Sequence, residues 1–538
     1  MKKQTEIYER INSRQAADFL GVSISTLYRM EEKGLIHSTR TPGGQRRFLK
    51  ADLTKYVQGS KFIKAPQNPS QYKTKARTAK EVRQRDLFGN DAFVSGISAR
   101  REPIATVSRT ISKAHNHEYR PHTSIAEWLS EWEFRKFNTK TFTHGIHTYP
   151  AMFIPQVARK LILEFSRPGE TVIDIFCGSG TTLVESVLSG RNVIGIELNP
   201  LAVLIAQVKT TPIAPDILHV ELEQIIKTYK TNPQRPITFT QNSNLEFWFS
   251  RSAASTLNAI KCSIESLSDA KVRNFFLVAF SEIVRKASFT KDNEFKLVRD
   301  KGKVAHGVTL DLFGEFLRIA RRNIEGMLTY FTDFDESAQI KIVHGDSTKT
   351  NEIPDESVDF ILTSPPYGDS RTTVAYGQFS RLSAQWLGLV PNERKDIDTL
   401  LLGGRGGNRG VDLNAWASSR SPLLAQSVNL IAERDFDRAN DVLTFFWDLN
   451  EALCQGVRIL KPNRYFAIIV GNRTVKDVNL KTDLIISELC EELGCVTHGI
   501  LYRTIPNKRM PLENSPTNIP GLKSKTMRRE SIVLLRKI

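Results

Sequence analysis

Residues 171–188, TVIDIFCGSGTTLVESVL, constrain this chain more than any other stretch. Val172, Ile173, Ile175 and Phe176 surround Asp174 as a strand, and a glycine-rich turn then opens directly into a helical pattern. Strand, tight turn and helix N-terminus together make a corner that binds anions and nucleotides. Gly178 and Gly180 let the backbone approach a ligand closely, and Thr181 and Thr182 can cap the helix. A second strand, Asn192 to Ile196, ends in Glu197, nineteen residues after Gly178. A doubly wound sheet places an acid there to hold a pair of ribose hydroxyls.

A second stretch, Asp359-Phe-Ile-Leu-Thr-Ser-Pro-Pro-Tyr367, narrows the reading. The two together resemble motif I and motif IV of the S-adenosylmethionine-dependent DNA amino-methyltransferases. The resemblance implies an α/β fold, a Rossmann-like seven-stranded sheet with S-adenosyl-L-methionine at its edge. Asp174, Phe176, Gly178, Gly180, Thr181 and Glu197 are then the cofactor-binding residues of motif I. Phe142 to Ile162, a loop followed by an amphipathic helix, resembles motif X, which helps cover the cofactor. Pro155 suits that helix's start, and Val157, Leu161 and Ile162 would face the sheet. Asp346, closing the strand pattern from Ile340, resembles the motif III acid near the adenine. The likeness covers 121–538 apart from two inserts. One, about 213–335, reads as helical, with Val272 to Ala287 its clearest stretch; within it Phe289 to Lys303 reads as a solvated charged face. The other, about 371–440, reads as irregular, with a flexible glycine-arginine loop at Leu402 to Gly410, and is the candidate target-recognition segment. After it the pattern gives a helix from Val442 to Leu460, a turn at Lys461 to Asn463 and a strand from Tyr465 to Val470. A helix from Leu484 to Leu493 and strands at 495–504 and 530–537 complete the chain.

A methyl group on a sulfonium is already activated, so this chemistry needs no metal and no covalent intermediate. It needs an amine lone pair held in line with the methyl carbon. Acceptors for the amine's two N–H groups favour a pyramidal nitrogen and stabilise the charge that develops there. The resemblance assigns these roles to the Ser364 Oγ and the Pro365 carbonyl. Pro365 and Pro366 stiffen the loop, and Tyr367 offers a ring to stack on an extruded base. Cytosine-C5 methylation is disfavoured, because its nucleophile sits in a Pro-Cys pair and this chain has none. Serine ahead of Pro-Pro-Tyr is more typical of cytosine-N4 enzymes, with adenine N6 the alternative. A regulator with a degenerate methyltransferase body would show damage to motif I or IV, and both read intact. An RNA methyltransferase would carry an RNA-binding module instead of the N-terminal one found here.

That N-terminal part is where the charge lies. The chain carries +17 overall, and residues 1–120 hold 24 Lys/Arg against 11 Asp/Glu. A polyanionic partner is implied, double-stranded DNA here. Residues 1–57 read as helix, turn, helix and a Pro-Gly-Gly wing, resembling the winged helix-turn-helix of MerR-type regulators and phage excisionases. The helices fall at Ser13 to Leu20 and Ser25 to Lys33, with a closing helix from Ala51. Ser25, Thr26, Tyr28 and Arg29 are base-side candidates; Arg40, Arg46 and Arg47 are phosphate candidates on the wing. Residues 58–120 read as a basic linker. Five cysteines without CxxC pairs argue against zinc and for a reducing compartment. No apolar run reaches eighteen residues, so a prokaryotic, cytoplasmic, nucleoid-associated protein is expected. A cognate restriction endonuclease or defence-system proteins are the candidate protein partners.

Overall fold

The computed structural model describes residues 10–13, 16, 27–28, 31, 36–40, 46–49 and 53. It further describes 132–538, except for 133, 135–136, 238–244, 293, 370–372, 391–396, 405–410, 506–512, 515–523 and 526–528. Two compact units divide the chain, one holding residues 1–98 and the other all of 118–538.

In the first unit, strands β1 (Arg10–Asn12), β2 (Ser38–Arg40) and β3 (Arg46–Leu49) form an antiparallel sheet in the order β1-β3-β2. β2 and β3 flank Pro42-Gly43-Gly44 in the sequence, as a wing requires; β1 was not anticipated and pairs along the other side of β3. Ala16, Leu27, Ile36, Phe48 and Leu53 form its core. The expected helices, Ser25, Thr26, Arg29 and the 58–120 linker fall largely or wholly outside the described residues.

The second unit is built on strands β4 (Thr171–Asp174), β5 (Asn192–Glu197), β6 (Ile340–His344), β7 (Val358–Thr363) and β8 (Leu460–Val470). Short strands β9 (Arg473–Val475) and β10 (Val478–Leu480) pair as a hairpin; β11 (Cys495–Thr504) follows. β12 (Glu513–Asn514) and β13 (Ser524–Lys525) pair with each other, and β14 (Arg529–Lys537) closes the chain. The seven-stranded sheet runs β11-β14-β8-β7-β4-β5-β6. β6, β5, β4, β7 and β8 are parallel, and β14 inserts antiparallel between β8 and β11. Chain order reverses at β4, between β5 and β7, and a ligand site opens at such a switch point.

Strand pleating explains how both faces are covered. Val172, Phe360, Leu362, Ala467, Ile469, Ile532 and Leu534 point to one side, against helix α1 (Pro155–Phe165) through Val157, Leu161 and Ile162. Ile173, Ile361, Phe466, Ile468, Val533 and Leu535 alternate to the other side. That side is covered by residues from helices α12 (Pro422–Ala432), α13 (Phe436–Ile459) and α14 (Thr482–Glu492). Between β5 and β6 the chain leaves the sheet for helices that include α4 (Pro215–Thr231), α6 (Arg251–Glu265), α7 (Ala270–Ala287) and α9 (Leu312–Asp333). These pack into one large core with α2 (Thr181–Leu188) and α3 (Pro200–Thr210). The remaining helices are α5 (Leu245–Trp248), α8 (Lys301–His306), α10 (Tyr376–Trp386) and α11 (Leu413–Arg420).

Two expectations need correction. Segment 371–440 is not irregular: α10, α11, α12 and the start of α13 occupy most of its described part. Asp412, Ser421 and Asp435 each cap a helix with their side-chain oxygens, and Pro422 sits at a first turn. Lys461 to Asn463 is not a turn between elements either. β8 begins at Leu460, and its pairing with β7 jumps from Val358↔Leu460 to Phe360↔Tyr465. The extra residues bulge out, because Pro462 has no N–H for the ladder and Asn463 takes φ +61°.

Candidate active site

The corner predicted at β4 opens on a cavity of about 860 Å³. Phe176, Gly178, Thr181, Glu197, Asp346, Ser364 and Pro366 all line it, so residues far apart in sequence share one space. Parallel pairing of β4 with β5 and β7 brings them together, since each loop leaves the same edge of the sheet.

The turn itself is held from behind. Asp174 is buried; its carboxylate accepts hydrogen bonds from Phe176 N–H (3.0 Å), Thr182 Oγ (2.6 Å) and Thr363 Oγ (2.6 Å). It thereby ties β4, the glycine turn, α2 and β7 into one unit, and it stands outside the cavity lining. Burial pushes its carboxyl up to about 6, against the pull of those three hydrogen bonds. Gly180 is also behind the lining. With φ +86° it precedes α2, and a Cβ there would meet Ala206 Cβ at 3.1 Å and Cα at 3.2 Å. Gly180→Ala should therefore cost about 1–3 kcal/mol of stability, measured as a lowered denaturation midpoint. An unchanged midpoint would show that the turn relaxes freely.

Glu197 closes β5 with its side chain over the turn. One carboxylate oxygen accepts Gly178 N–H at 2.9 Å and the other accepts Asn199 N–H at 2.7 Å. Burial pushes its carboxyl up to about 7, partly offset by those backbone donors. Two bonds leave lone pairs on both oxygens for hydroxyl donors. Asp346 accepts Thr348 N–H at 3.0 Å and Thr348 Oγ at 2.8 Å, which fixes the loop after β6.

Motif IV divides in two. Ser364 lines the cavity and donates its hydroxyl hydrogen to the Ile469 carbonyl of β8 at 3.0 Å. Pro365 is buried. Tyr367 lines a second, smaller space with Asp369, Val442, Phe446 and Arg473; its hydroxyl donates to Glu530 at 3.4 Å and its side chain also engages Ser364. Burial and Glu530 drive its phenol well above the usual range. In the N-terminal unit, Arg46 is likewise turned inward, 2.7 Å from Glu31 and 4.1 Å above the Tyr28 ring. Tyr28 donates to Ser13 Oγ at 3.0 Å. Both are thus partly engaged within the module, whereas Arg40 and Arg47 lie on its strands.

Tyr149 to Phe153, inside the stretch that resembles motif X, form a wall ahead of α1. Ser347, Tyr376, Leu400 and Leu401, which carried no sequence signal, complete the rim with Ser179, Leu198 and Leu402. Asn199 joins three of these parts, giving its side-chain N–H groups to Tyr149 Oη (3.2 Å), Ser380 Oγ (2.9 Å) and the Tyr376 carbonyl (3.4 Å). The Tyr149 and Tyr376 rings stack with centroids 6.1 Å apart. Arg322, from insert helix α9, donates to the Ile146 carbonyl at 2.7 Å and so braces the wall. An Asn-Pro two residues after a strand-ending acid is a recognisable cap, but its cross-links depend on the fold.

The cavity suits a nucleoside with an amino-acid tail. Phe176, Ile196 and Leu198 give apolar sides for a base, and Glu197 presents buried acceptors for sugar hydroxyls beside a glycine turn. Known proteins agree with this geometry. A model of the DNA methylase family matches residues 48–208, and one of the MerR family of regulatory proteins matches residues 12–48. The type II methyltransferase M.MvaI of Kocuria varians is 38% identical over 422 residues, 75% of this chain and 93% of that protein. Type II methyltransferase M.AvaI of a Nostoc species is 22% identical over 453 residues, 77% of this chain and 89% of that one. The DNA adenine methyltransferase YhdJ of Escherichia coli is 24% identical over 130 residues, 24% of this chain and 41% of that protein. On the strength of its long match to M.MvaI, the chain belongs to the S-adenosylmethionine-dependent DNA amino-methyltransferases.

Proposed function

We propose that the protein methylates cytosine N4 within a specific sequence of double-stranded DNA. The observation that carries this reading is the placement of Ser364 in the cavity of Gly178 and Glu197, with its hydroxyl hydrogen committed to Ile469. A hydroxyl that has given away its hydrogen offers only lone pairs, which is what an amine N–H needs. The Pro365 carbonyl is the second acceptor in this reading, and Pro366 keeps the loop stiff. S-adenosylmethionine supplies, when bound, a methyl group already activated for transfer. Phe176, Gly178, Thr181, Glu197 and Asp346 hold it, Asp174 and Gly180 fix the turn from behind, and Ser364 orients the accepting amine. Cytosine is preferred to adenine because serine precedes Pro-Pro-Tyr. The winged module anchors DNA, the 371–440 segment reads the target, and a restriction endonuclease is the candidate partner in a prokaryotic cytoplasm. DNA from cells expressing the protein, sequenced with base-modification detection, should show N4-methylcytosine at one recurring sequence. N6-methyladenine at that sequence would reverse the choice of base.

Glu197 gives a separate test. Glu197→Ala should weaken binding of S-adenosylhomocysteine by about 1–3 kcal/mol in calorimetry, the scale for hydrogen bonds to a charged acceptor. Because the carboxyl titrates near 7, it gains a proton below that pH and loses acceptor strength. Wild-type affinity should therefore fall on the acid side of about pH 7, and Glu197→Gln should remove that dependence. An acid limb that persists in the Gln variant would take Glu197 out of the site.

A further inference from the structure

Between α7 and α8 the insert carries a hairpin that the cofactor site does not use. Lys291 N–H donates to the Val298 carbonyl at 2.8 Å, Asp300 N–H donates to the Phe289 carbonyl at 2.7 Å, and Thr290 bridges Arg299. This hairpin is fastened to the helices around it. Arg285 of α7 donates to the carbonyls of Glu294 and Lys296, and to that of Phe379 in α10 at 3.3 Å. Leu297 N–H donates to Gln378 Oε1 at 3.2 Å, and the Phe295 and Phe379 rings meet edge to face. Gln378 and Phe379 lie in the first turn of α10, whose opening residue, Tyr376, lines the cofactor cavity.

The outer surface of the hairpin is basic and apolar at once. Residues 289–303 hold five Lys/Arg against three Asp/Glu. Asp292 is paired with Lys303 at 2.7 Å, and Asp300 accepts the Gly302 and Lys303 amides that open α8. Lys291, Arg299 and Lys301 are exposed and form no ion pair among the described residues. The Arg299 guanidinium lies 4.1 Å above the Phe247 ring and 5.6 Å from that of Phe289. A stacked guanidinium is held flat and keeps its N–H donors for a phosphate. Phe247 is 50% exposed, Phe295 45% and Val298 43%. A face that meets only water gains nothing by exposing large apolar groups among its cations. Cations interleaved with aromatic rings suit a nucleic acid, whose phosphates take the charges and whose sugars and bases take the rings.

We propose that this hairpin, with Phe247, is a DNA-binding surface of the catalytic unit, on which Lys291, Arg299 and Lys301 contact phosphates of the substrate duplex. The inference rests on the DNA-methylating function and adds to it a contact outside both the N-terminal module and the 371–440 segment. Because Arg285 and Gln378 fix the hairpin to α10, the phosphates it holds stand in a set relation to the cavity rim. The contact therefore acts on productive binding of DNA and leaves the cofactor site and the methyl-transfer step alone.

The test combines Lys291→Ala, Arg299→Ala and Lys301→Ala in the full-length protein, with a salt titration of DNA binding beside steady-state methylation. Losing three phosphate contacts should flatten the slope of log K against log salt by about two to three and raise KM for DNA about 10-fold. The kcat and the affinity for S-adenosylhomocysteine should stay within about twofold. A control variant removes the same charge from exposed positions on α4 and α7, through Lys227→Ala, Lys230→Ala and Lys271→Ala. It should keep the wild-type slope and KM. An unchanged slope in the hairpin variant, or an equal change in the control, would overturn the proposal and leave the hairpin a solvated face. A wild type that methylates no DNA would instead remove the function on which the proposal rests.

Discussion

Ser364→Ala should reduce single-turnover methyl transfer to DNA about 100- to 1000-fold, the scale for removing one group that stabilises a developing charge. Affinity for S-adenosylhomocysteine should stay within about twofold, because the hydroxyl acts on the accepting amine and the cofactor's holders lie elsewhere. The fold gives this separation a physical basis. Thr363 pairs with Ile468 and buries its own hydroxyl against Asp174, so the strand ahead of the loop is fixed without Ser364. The cost to stability is the unsatisfied Ile469 carbonyl, about 1–3 kcal/mol. Ser364→Cys should recover little, since a thiol is a poor acceptor and a weak donor to Ile469. Rapid-quench kinetics with labelled cofactor, alongside calorimetry of the same variant, makes the check. Full transfer rates in Ser364→Ala would remove the hydroxyl from the chemistry. Equal losses of binding and transfer would place it in the cofactor pocket instead.

Deleting residues 1–120 should weaken DNA binding and flatten its salt dependence, while methylation of the correct base survives at high enzyme concentration. The deleted part holds 24 of the 75 basic residues against 11 of the 58 acidic ones, which leaves the catalytic unit close to neutral. Every phosphate the protein ceases to neutralise takes about 0.9 from the slope of log K against log salt, so about four to six of them flatten it by about four to five. Arg46 complicates the smaller version of this experiment. Its guanidinium is engaged with Glu31 and the Tyr28 ring, so Arg46→Ala perturbs the module's packing as well as its charge. Arg47→Ala, the second wing candidate, should lower affinity for all sequences alike. A truncated protein with an unchanged salt slope would point to a protein-binding or regulatory role for the module.

Much of the catalytic unit was legible because its signals are local. An apolar run, a glycine turn and an acid at the end of the next strand mark β4, α2 and β5 without any tertiary information, and serine before a proline pair marks the loop after β7. What escaped depends on contacts between distant segments. Asp174 reads as a cofactor ligand from its place beside the turn, yet Thr182 and Thr363 turn its carboxylate inward. Tyr367 follows the catalytic serine by three residues, but it packs toward α13 and is not among the residues lining the cofactor cavity. Helices in the 371–440 segment were hidden because they are short, and Asp412, Ser421 and Asp435, polar residues that read as loop, serve there as their caps.

The central claim is that the glycine turn, Glu197 and Ser364 form one site that carries a methyl group onto a base amine. Purified protein should be incubated with unmodified double-stranded DNA and S-adenosylmethionine bearing a trideuterated methyl group, and the DNA digested to nucleosides for mass spectrometry. The account predicts the label on an exocyclic nitrogen, as N4-methylcytosine, and its loss with Ser364→Ala. Label on cytosine C5, or none on DNA while the cofactor binds, would contradict it.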